Sequence, residues 1–187
     1  MEIGIVAFDD FTDIDVFLPW DILNRVKLPE WTVKIYGTKD LHHSVTGLTV
    51  PVHKEVHRLN EATAVLFASG PGIRKLCHNE DYLRQINLDP SRQLIGSMCS
   101  GALILGALGL LEGKTATTYP TAKKTLEKFK VNVVEEAFVV HENIATAAGC
   151  LAAQDLCGWF IERLINKKVK NSVLKSIQPL GQGLSLS

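Results

Sequence analysis

The stretch of sequence that decides the fold is QLIGSMCSGALILGALGLL, residues 93–111. Its first six residues form a short apolar run, which is typical of a strand buried on both faces. An apolar helix is predicted to follow at once, over residues 100–111. Cys99 therefore falls on a tight turn between a strand and a helix. Gly96 and Gly101 flank this turn, and small residues let neighbouring backbone approach it closely.

The alternation of strands and helices continues in both directions from this turn. The predicted strands cover residues 2–8, 32–37, 63–68, 93–98, 131–134 and 137–141, with a hairpin over 137–147. The predicted helices cover residues 13–26, 80–87, 100–111, 121–129, 150–165 and 168–177. Strands that alternate with helices indicate βαβ units. We therefore expect an α/β fold in which a mostly parallel central sheet is covered by helices on both faces.

The length and composition predict one globular domain. A chain of 187 residues, 46% hydrophobic and 21% charged, can bury one sizeable core and leaves little room for a second full domain. We expect this domain to span residues 1–177. The remainder, residues 178–187, is rich in glycine and serine and is predicted to form a mobile tail.

The charge balance and the cysteine content narrow the functional classes. Lys+Arg and Asp+Glu number 20 each, so the basic excess of a nucleic-acid binder is missing. No apolar run is long enough to span a membrane, and the residues after Met1 lack the basic region of a signal peptide. Four cysteines do not resemble a secreted disulfide scaffold, so we expect a cytoplasmic protein.

Two loops are candidates for a ligand site. In parallel α/β sheets, ligands bind beyond the carboxyl ends of the strands. Ser69–Gly72 follows one predicted strand end, and Cys99 follows another. We therefore expect these two loops to form a site together.

Cys99 has a setting that suits a nucleophile. Its sulfur is expected to face the positive end of the following helix and the unpaired N–H groups there. Both features favour the thiolate, which is the reactive form of cysteine. The alternative is a buried cysteine that packs as a small hydrophobe, and the spacing alone favours neither interpretation.

Four motifs in this order resemble the ThiJ/PfpI superfamily of class I glutamine amidotransferase-like proteins. They are residues 15–23 (DVFLPWDIL), 99–103 (CSGAL), 109–118 (GLLEGKTATT) and 146–149 (TAAG). The resemblance covers roughly residues 2–166 and is greatest for the branch that contains isonitrile hydratases. It implies a flavodoxin-like α/β sandwich, a homodimer, and a reactive cysteine at the position of Cys99.

The resemblance also implies roles for residues near that cysteine. Asp15 matches the acid that hydrogen-bonds the sulfur, because it lies four positions before Pro19. Gly70 matches the last glycine of a Pro-Gly-Gly segment whose backbone N–H stabilises negative charge. The first two positions of that segment read Ala68-Ser69 here and depart from the pattern.

Both usual sources of a catalytic imidazole are absent. Ser100 stands directly after the cysteine, where peptidases and glyoxalases of the superfamily have a histidine, and it can supply a hydroxyl instead. Tyr119 takes the place of the histidine in a Thr-Thr-His-Pro segment, and we assign it to substrate contact. The six histidines fall in predicted loops or strand ends away from the turn. A Cys-His-acid triad, with peptidase or glyoxalase activity, is therefore the less favoured function.

Asp15 can also be interpreted from its own surroundings. It is predicted to lie near Ile14 and Phe17 on an apolar helix face, where burial disfavours a charged carboxylate. One proton is then expected to be shared between Asp15 and Cys99, which titrate as a pair. The alternative is that Asp15, or Asp13 in the same turn, only stabilises the N-terminus of the helix.

The other three cysteines are not assigned to the site. Cys150 and Cys157 are seven positions apart on one predicted helix, and we interpret them as two buried small hydrophobes. No partner lies at metal-ligand spacing from them, so we expect no metal ion and no cofactor. Cys77 is predicted to lie on the surface.

The resemblance and the residues together predict a cysteine-dependent hydratase of a small isonitrile-type electrophile. Cys99 would attack the carbon, Asp15 would deliver a proton, and Ser100 with the Gly70 N–H would stabilise charge. A non-enzymatic redox sensor or stress-protective protein oxidised at Cys99 is the alternative. A ligand domain of a transcription regulator is less favoured, because no helix-turn-helix segment or basic excess is evident. The expected partners are a small-molecule substrate and a second copy of the chain, with no nucleic acid and no membrane.

Overall fold

The computed structural model describes residues 1–185, which contain eleven strands and seven α-helices. The strands are β1 (Glu2–Val6), β2 (Thr32–Gly37), β3 (Leu41–His43), β4 (Thr49–Pro51), β5 (Lys54–Glu55), β6 (Ala64–Phe67), β7 (Leu94–Met98), β8 (Thr115–Ala116), β9 (Asn132–Val133), β10 (Phe138–His141) and β11 (Ile144–Ala147). The helices are α1 (Asp13–Asn24), α2 (Ile73–Leu76), α3 (Glu80–Leu83), α4 (Ala102–Ala107), α5 (Lys123–Glu127), α6 (Ala153–Leu164) and α7 (Lys167–Lys175).

Seven strands form the central sheet, in the spatial order β10-β11-β7-β6-β1-β2-β5. Six of them run parallel, and only the edge strand β10 is antiparallel to its neighbour β11. Every residue of β6, β7 and β11 is buried, as expected for strands that are covered on both faces. The predicted α/β fold with a mostly parallel sheet is therefore confirmed.

The helices form two groups over the sheet. Helix α1 packs against α6, and α6 also contacts α7, β7 and β11. Helix α4 contacts α2, α5 and β7. Gly96 in β7 lies directly under α6, since a Cβ atom there would come within 2.7 Å of Leu156. The glycine thus lets α6 lie close to the strand that ends at the predicted turn.

Several short elements were not predicted. Strands β3 and β4 form a separate antiparallel hairpin, and β8 pairs in parallel with β9, which lies within the predicted strand 131–134. The β3–β4 hairpin depends on a contact that is remote in sequence, because the buried His42 ring hydrogen-bonds Asp9 at 2.9 Å. Short segments held by such contacts carry little hydrophobic periodicity of their own.

The predicted helix 100–111 is shorter than expected. A 3₁₀ turn, Cys99–Gly101, precedes α4, which ends at Ala107. Gly109 ends the helix because its φ of +75° takes the left-handed conformation typical of a C-terminal glycine. The apolar residues that follow it are packed in the core without being helical.

The C-terminal segment follows α7. Residues 179–184 form a turn in which the Gly181 N–H donates to the Leu184 carbonyl at 2.8 Å. The predicted mobility of residues 178–187 stays a prediction, and Leu186 and Ser187 lie outside the described residues. No helix between residues 1 and 185 has the length and apolar character needed to cross a membrane.

Candidate active site

Cys99 lies on a strained elbow at the carboxyl end of β7. Its φ is +46°, a left-handed conformation that is rare for residues other than glycine. Gly101 makes the elbow possible, since a Cβ atom there would lie 2.6 Å from the carbonyl oxygen of Phe67. The Thr118 hydroxyl donates to the Cys99 carbonyl at 2.9 Å and holds the elbow from the other side. The tight turn predicted from the sequence is therefore present.

The Ser69–Gly72 loop lies beside the elbow because β6 and β7 are parallel neighbours. The Thr12 N–H donates to the Ser69 carbonyl at 2.7 Å, which ties this loop to the start of α1. Gly70 is required at this crossing, since a Cβ atom there would lie 2.2 Å from the carbonyl oxygen of Asp10. The loop thus brings the first turn of α1 next to the cysteine.

Asp15, in that first turn, is fully buried at the site. The Ser69 hydroxyl donates to its Oδ2 atom, while its Oδ1 atom is buried without a hydrogen-bond partner. A carboxylate oxygen of Asp15 lies within 4.8 Å of the Cys99 sulfur. Asp13, the alternative acid, is instead partly exposed and accepts a hydrogen bond from Thr46 at 2.8 Å. Of the two acids, Asp15 is the one that lies at the cysteine.

The electrostatic setting of Cys99 differs from the prediction. The residue is only 3% exposed, and this burial raises the pKa of its thiol above the ordinary range. The nearby Asp15 and Cys150 raise this pKa further, and a hydrogen bond from the Gly149 backbone N–H lowers it only in part. The expectation of a thiol with a low pKa is therefore wrong, because desolvation and negative neighbours outweigh one short helical turn.

Cys150 lies in the same site, and its assignment to the core is wrong. It follows β11, which pairs in parallel with β7 so that Ala147 stands beside Met98. The residues that leave these two strands are therefore neighbours, and the sulfur of Cys150 lies within 4.8 Å of the sulfur of Cys99. Cys150 is half-buried and precedes α6, so it does not share a helix face with Cys157.

The two remaining cysteines are distant from this chemistry. Cys157 is fully buried in α6, as predicted. Cys77 was predicted on the surface, but it is 2% exposed and its thiol donates to the Arg74 carbonyl at 3.5 Å. Burial raises the pKa of both thiols, and neither residue lines the cavity at Cys99.

A cavity of about 290 Å³ opens above Cys99. Its lining comprises Thr12, Asp15, Ser69, Gly70, Pro71, Arg74, Cys99, Ser100, Tyr119, Thr121 and Cys150. All five predicted site residues thus line one cavity, and no histidine belongs to this lining. At its rim the Arg74 guanidinium donates to the Thr121 hydroxyl at 2.7 Å and contributes a positive charge.

Asp15, Cys99 and Cys150 also form a possible ligand set for a metal ion. Their ligand atoms all lie within 4.8 Å of one another, and thiolates favour soft cations. Both partners of Cys150 are remote in sequence, so spacing along the chain does not show this set, and the expectation that no metal ion binds stays a prediction.

Comparison with known proteins agrees with this architecture. Isonitrile hydratase of Pseudomonas putida is 28% identical over 168 residues, which is 88% of this chain and 72% of that protein. Glutathione-independent glyoxalase DJ-1 of Schizosaccharomyces pombe is 22% identical over 189 residues, covering 95% of this chain and 98% of that protein.

Solved structures show the same fold. A THiJ/PfpI family protein from Pseudomonas syringae has a TM-score of 0.85 at 23% identity, covering 95% of this chain and 75% of that one. Schizosaccharomyces pombe DJ-1 has a TM-score of 0.80 at 18% identity, covering 96% of this chain and all of the other. Residues 1–163 match the DJ-1/PfpI family. The resemblance noted from the sequence motifs is thus confirmed, and the chain belongs to the DJ-1/PfpI family.

Proposed function

We propose that this protein is a cysteine-dependent hydratase that converts a small isonitrile to an N-substituted formamide. The observation that carries the proposal is the pairing of Cys99 with Asp15, a buried acid, in a cavity that no histidine lines. This arrangement suits a reaction that needs a nucleophile and one shared proton. The similarity to the Pseudomonas putida isonitrile hydratase supports the same choice.

The first step uses both members of the pair. The terminal carbon of an isonitrile is electrophilic toward a thiolate and becomes basic once the sulfur has added. The Cys99 sulfur bonds to this carbon, and the proton held by Asp15 and Cys99 moves to the same carbon. The product is a thioimidate, with a carbon–nitrogen double bond and a carbon–sulfur bond to Cys99. No proton has to enter from bulk water.

The second step releases the product. Asp15, now a carboxylate, accepts a proton from a water molecule that attacks the thioimidate carbon. The carbon–sulfur bond then breaks, the nitrogen takes up a proton, and the formamide leaves. The pair regains its single proton. The Gly70 N–H and the Ser100 hydroxyl line the same cavity and stabilise the charge that develops in both steps.

Tyr119, the remaining predicted contact, and the size of the cavity limit the substrate. Tyr119 is exposed on the cavity wall and can cover the substituent on the isonitrile nitrogen. A cavity of about 290 Å³ holds a small molecule but no polymer. We therefore propose a small-molecule substrate.

Incubation of the purified protein with cyclohexyl isocyanide tests this function. We expect N-cyclohexylformamide from the wild type and none above background from Cys99→Ala. Asp15→Asn should lower kcat at least about 100-fold, because general acid–base catalysis contributes this much. Cys77→Ala is the matched control, because it removes a buried thiol outside the cavity. Equal turnover by wild type and Cys99→Ala would show that the proposal is wrong.

A second candidate function is sensing of peroxides through oxidation of Cys99. The observation that favours it is the second thiol, Cys150, in the same cavity. Mass spectrometry after mild peroxide treatment separates the two functions. Selective oxidation of Cys99, without turnover of isonitriles, favours the sensor.

A further inference from the structure

We propose that Cys99 and Cys150 form a reversible disulfide when a peroxide oxidises the site. This inference rests on the second candidate function, oxidation of Cys99, and does not require hydratase activity. Its new element is the role of Cys150, which resolves the oxidised Cys99 before a second oxidation occurs. No motif of the sequence analysis placed Cys150 near the elbow.

The distance between the two sulfur atoms permits this bond. They lie within 4.8 Å of each other, and a disulfide requires about 2.05 Å. Rotation of one cysteine side chain between staggered rotamers moves its sulfur by about 3 Å. The two side chains can therefore meet without rearrangement of the sheet.

The backbone around Cys150 can move to close the remaining distance between the two sulfur atoms. Gly149 has a φ of +88° and no neighbouring atom within 4 Å of a Cβ position, so it stands in open space. Cys150 begins a single 3₁₀ turn and is half-buried. By contrast, Cys99 is fixed between Gly101 and Thr118. We therefore infer that Cys150 moves toward Cys99.

The disulfide forms in two steps. In the first, the Cys99 thiolate attacks the peroxide oxygen that carries hydrogen, and the oxygen–oxygen bond breaks. The second oxygen takes up the proton that the Cys99 thiol gave up and leaves as an alcohol or water. Cys99 becomes a sulfenic acid, and the peroxide is reduced. In the second, the Cys150 sulfur attacks the Cys99 sulfur, the sulfur–oxygen bond breaks, and hydroxide leaves. It takes the Cys150 proton and departs as water.

Asp15 can assist the second step. Its buried carboxyl lies within 4.8 Å of both sulfur atoms. It can accept the proton of the Cys150 thiol and pass it to the leaving hydroxide. The same acid thus serves a thiol–disulfide exchange without a histidine.

The disulfide has a consequence for the cavity. Cys99 and Cys150 both line it, so a bond between them removes the nucleophile and narrows the space above the elbow. A thiol reductant reverses the change, whereas sulfinic acid is not reversed in this way. Cys150 therefore protects the site from irreversible oxidation.

The test is peptide mapping of the whole chain after a stoichiometric dose of hydrogen peroxide. We expect the wild type to lose two hydrogens in mass and half of its four free thiols. Trypsin should then release peptide 93–114 joined to peptide 131–163. The second peptide also contains Cys157, so the map is repeated with Cys157→Ala, in which only Cys150 can be the partner.

A variant that lacks the Cys150 thiol should give sulfinic acid at Cys99 in place of the disulfide. With Cys150→Ser and two equivalents of hydrogen peroxide, one for each oxygen, peptide 93–114 should gain two oxygens as sulfinic acid and form no cross-link. Cys77→Ala is the matched control and should give the wild-type disulfide. The wild-type and Cys157→Ala maps do not depend on whether Cys150→Ser folds.

The possible failures are distinguishable. Sulfinic acid at Cys99 in the wild type, without a cross-link, overturns the role of Cys150 but leaves oxidation of Cys99 intact. Unchanged Cys99 under peroxide overturns both. A cross-link to Cys157 or Cys77 also overturns the inference. Isonitrile turnover by the reduced protein is measured separately and decides only the hydratase proposal.

Discussion

Replacing Asp15 by asparagine should change how the reactivity of Cys99 depends on pH. The side chain is fully buried, and a Ser69 hydroxyl contacts one of its oxygens. Asparagine keeps the shape and an oxygen that Ser69 can contact, but it cannot exchange a proton with the sulfur. The variant therefore removes the shared proton and leaves the packing of the elbow in place.

The size of the expected change in pH dependence follows from the number of protons that Asp15 and Cys99 share. We predict that the carboxyl and the thiol of the wild type share one proton, so that the thiolate fraction is set inside the pair and changes little with pH. In Asp15→Asn the thiol must lose its proton to water. A cysteine of ordinary pKa, about 8.5, is about 3% ionised at pH 7, and the ionised fraction rises about tenfold per pH unit below that pKa. Burial of Cys99 raises its pKa and makes this fraction smaller still.

The assay is the rate of iodoacetamide alkylation between pH 6 and pH 9, read on tryptic peptide 93–114. This peptide contains Cys99 as its only cysteine, so Cys150 does not interfere. We expect a nearly flat profile for the wild type and a tenfold rise per pH unit for Asp15→Asn. Asp13→Asn is the matched control, because Asp13 lies in the same helical turn but contacts Thr46. It should keep the flat profile.

The slope of the profile decides the outcome. If the wild type and Asp15→Asn rise in parallel with pH, Asp15 does not share a proton with Cys99. If Asp13→Asn shows the same change as Asp15→Asn, the effect comes from the charge at the helix N-terminus. Either result would refute the reasoning.

Three further predictions address stability and assembly. Gly101→Ala should lower the free energy of unfolding by about 1–3 kcal/mol in urea titrations, because its Cβ atom would press on the Phe67 carbonyl at 2.6 Å. Burial opposes the ionisation of Asp9, but contacts with Lys39 and His42 outweigh it and hold the pKa of this carboxyl at about 2. The stabilisation is therefore complete above the unfolded pKa of about 4 and is lost as pH falls toward 2, so the urea midpoints of wild type and Asp9→Asn should converge over that range. Sedimentation should give the mass of a homodimer, as the family resemblance implies, and a monomer at all concentrations would contradict this expectation.

The elbow could be predicted from the sequence because it depends on local features. An apolar run, a cysteine and a small residue two positions later are enough to place a sharp turn, and Gly101 explains why the small residue is needed. Asp15 and Gly70 could be assigned to the site only through the family resemblance, because no sequence feature near either residue shows that it lies next to Cys99. Their arrival at one cavity depends on β1, β6 and β7 being neighbours.

Cys150 could not be placed in the same way. Its position follows from the pairing of β11 with β7, which is a property of strand order and not of any local pattern. The predicted hairpin ends at residue 147, and the sequence predicts Cys150 as the first residue of a long helix over 150–165. The raised pKa of the Cys99 thiol was missed for a related reason, because burial depends on the whole fold.

Ser69, which stands where the family pattern has a glycine, affects the chemistry of Asp15 and Cys99. Its hydroxyl donates to the Asp15 carboxyl, and the Gly149 N–H donates to the Cys99 sulfur. A donor stabilises negative charge on the atom that it contacts, so these two groups favour the single negative charge at opposite ends of the pair. We therefore expect the thiol and the carboxyl to compete for one proton. A ligand that adds a donor beside the sulfur should stabilise the thiolate and raise the reactivity of Cys99.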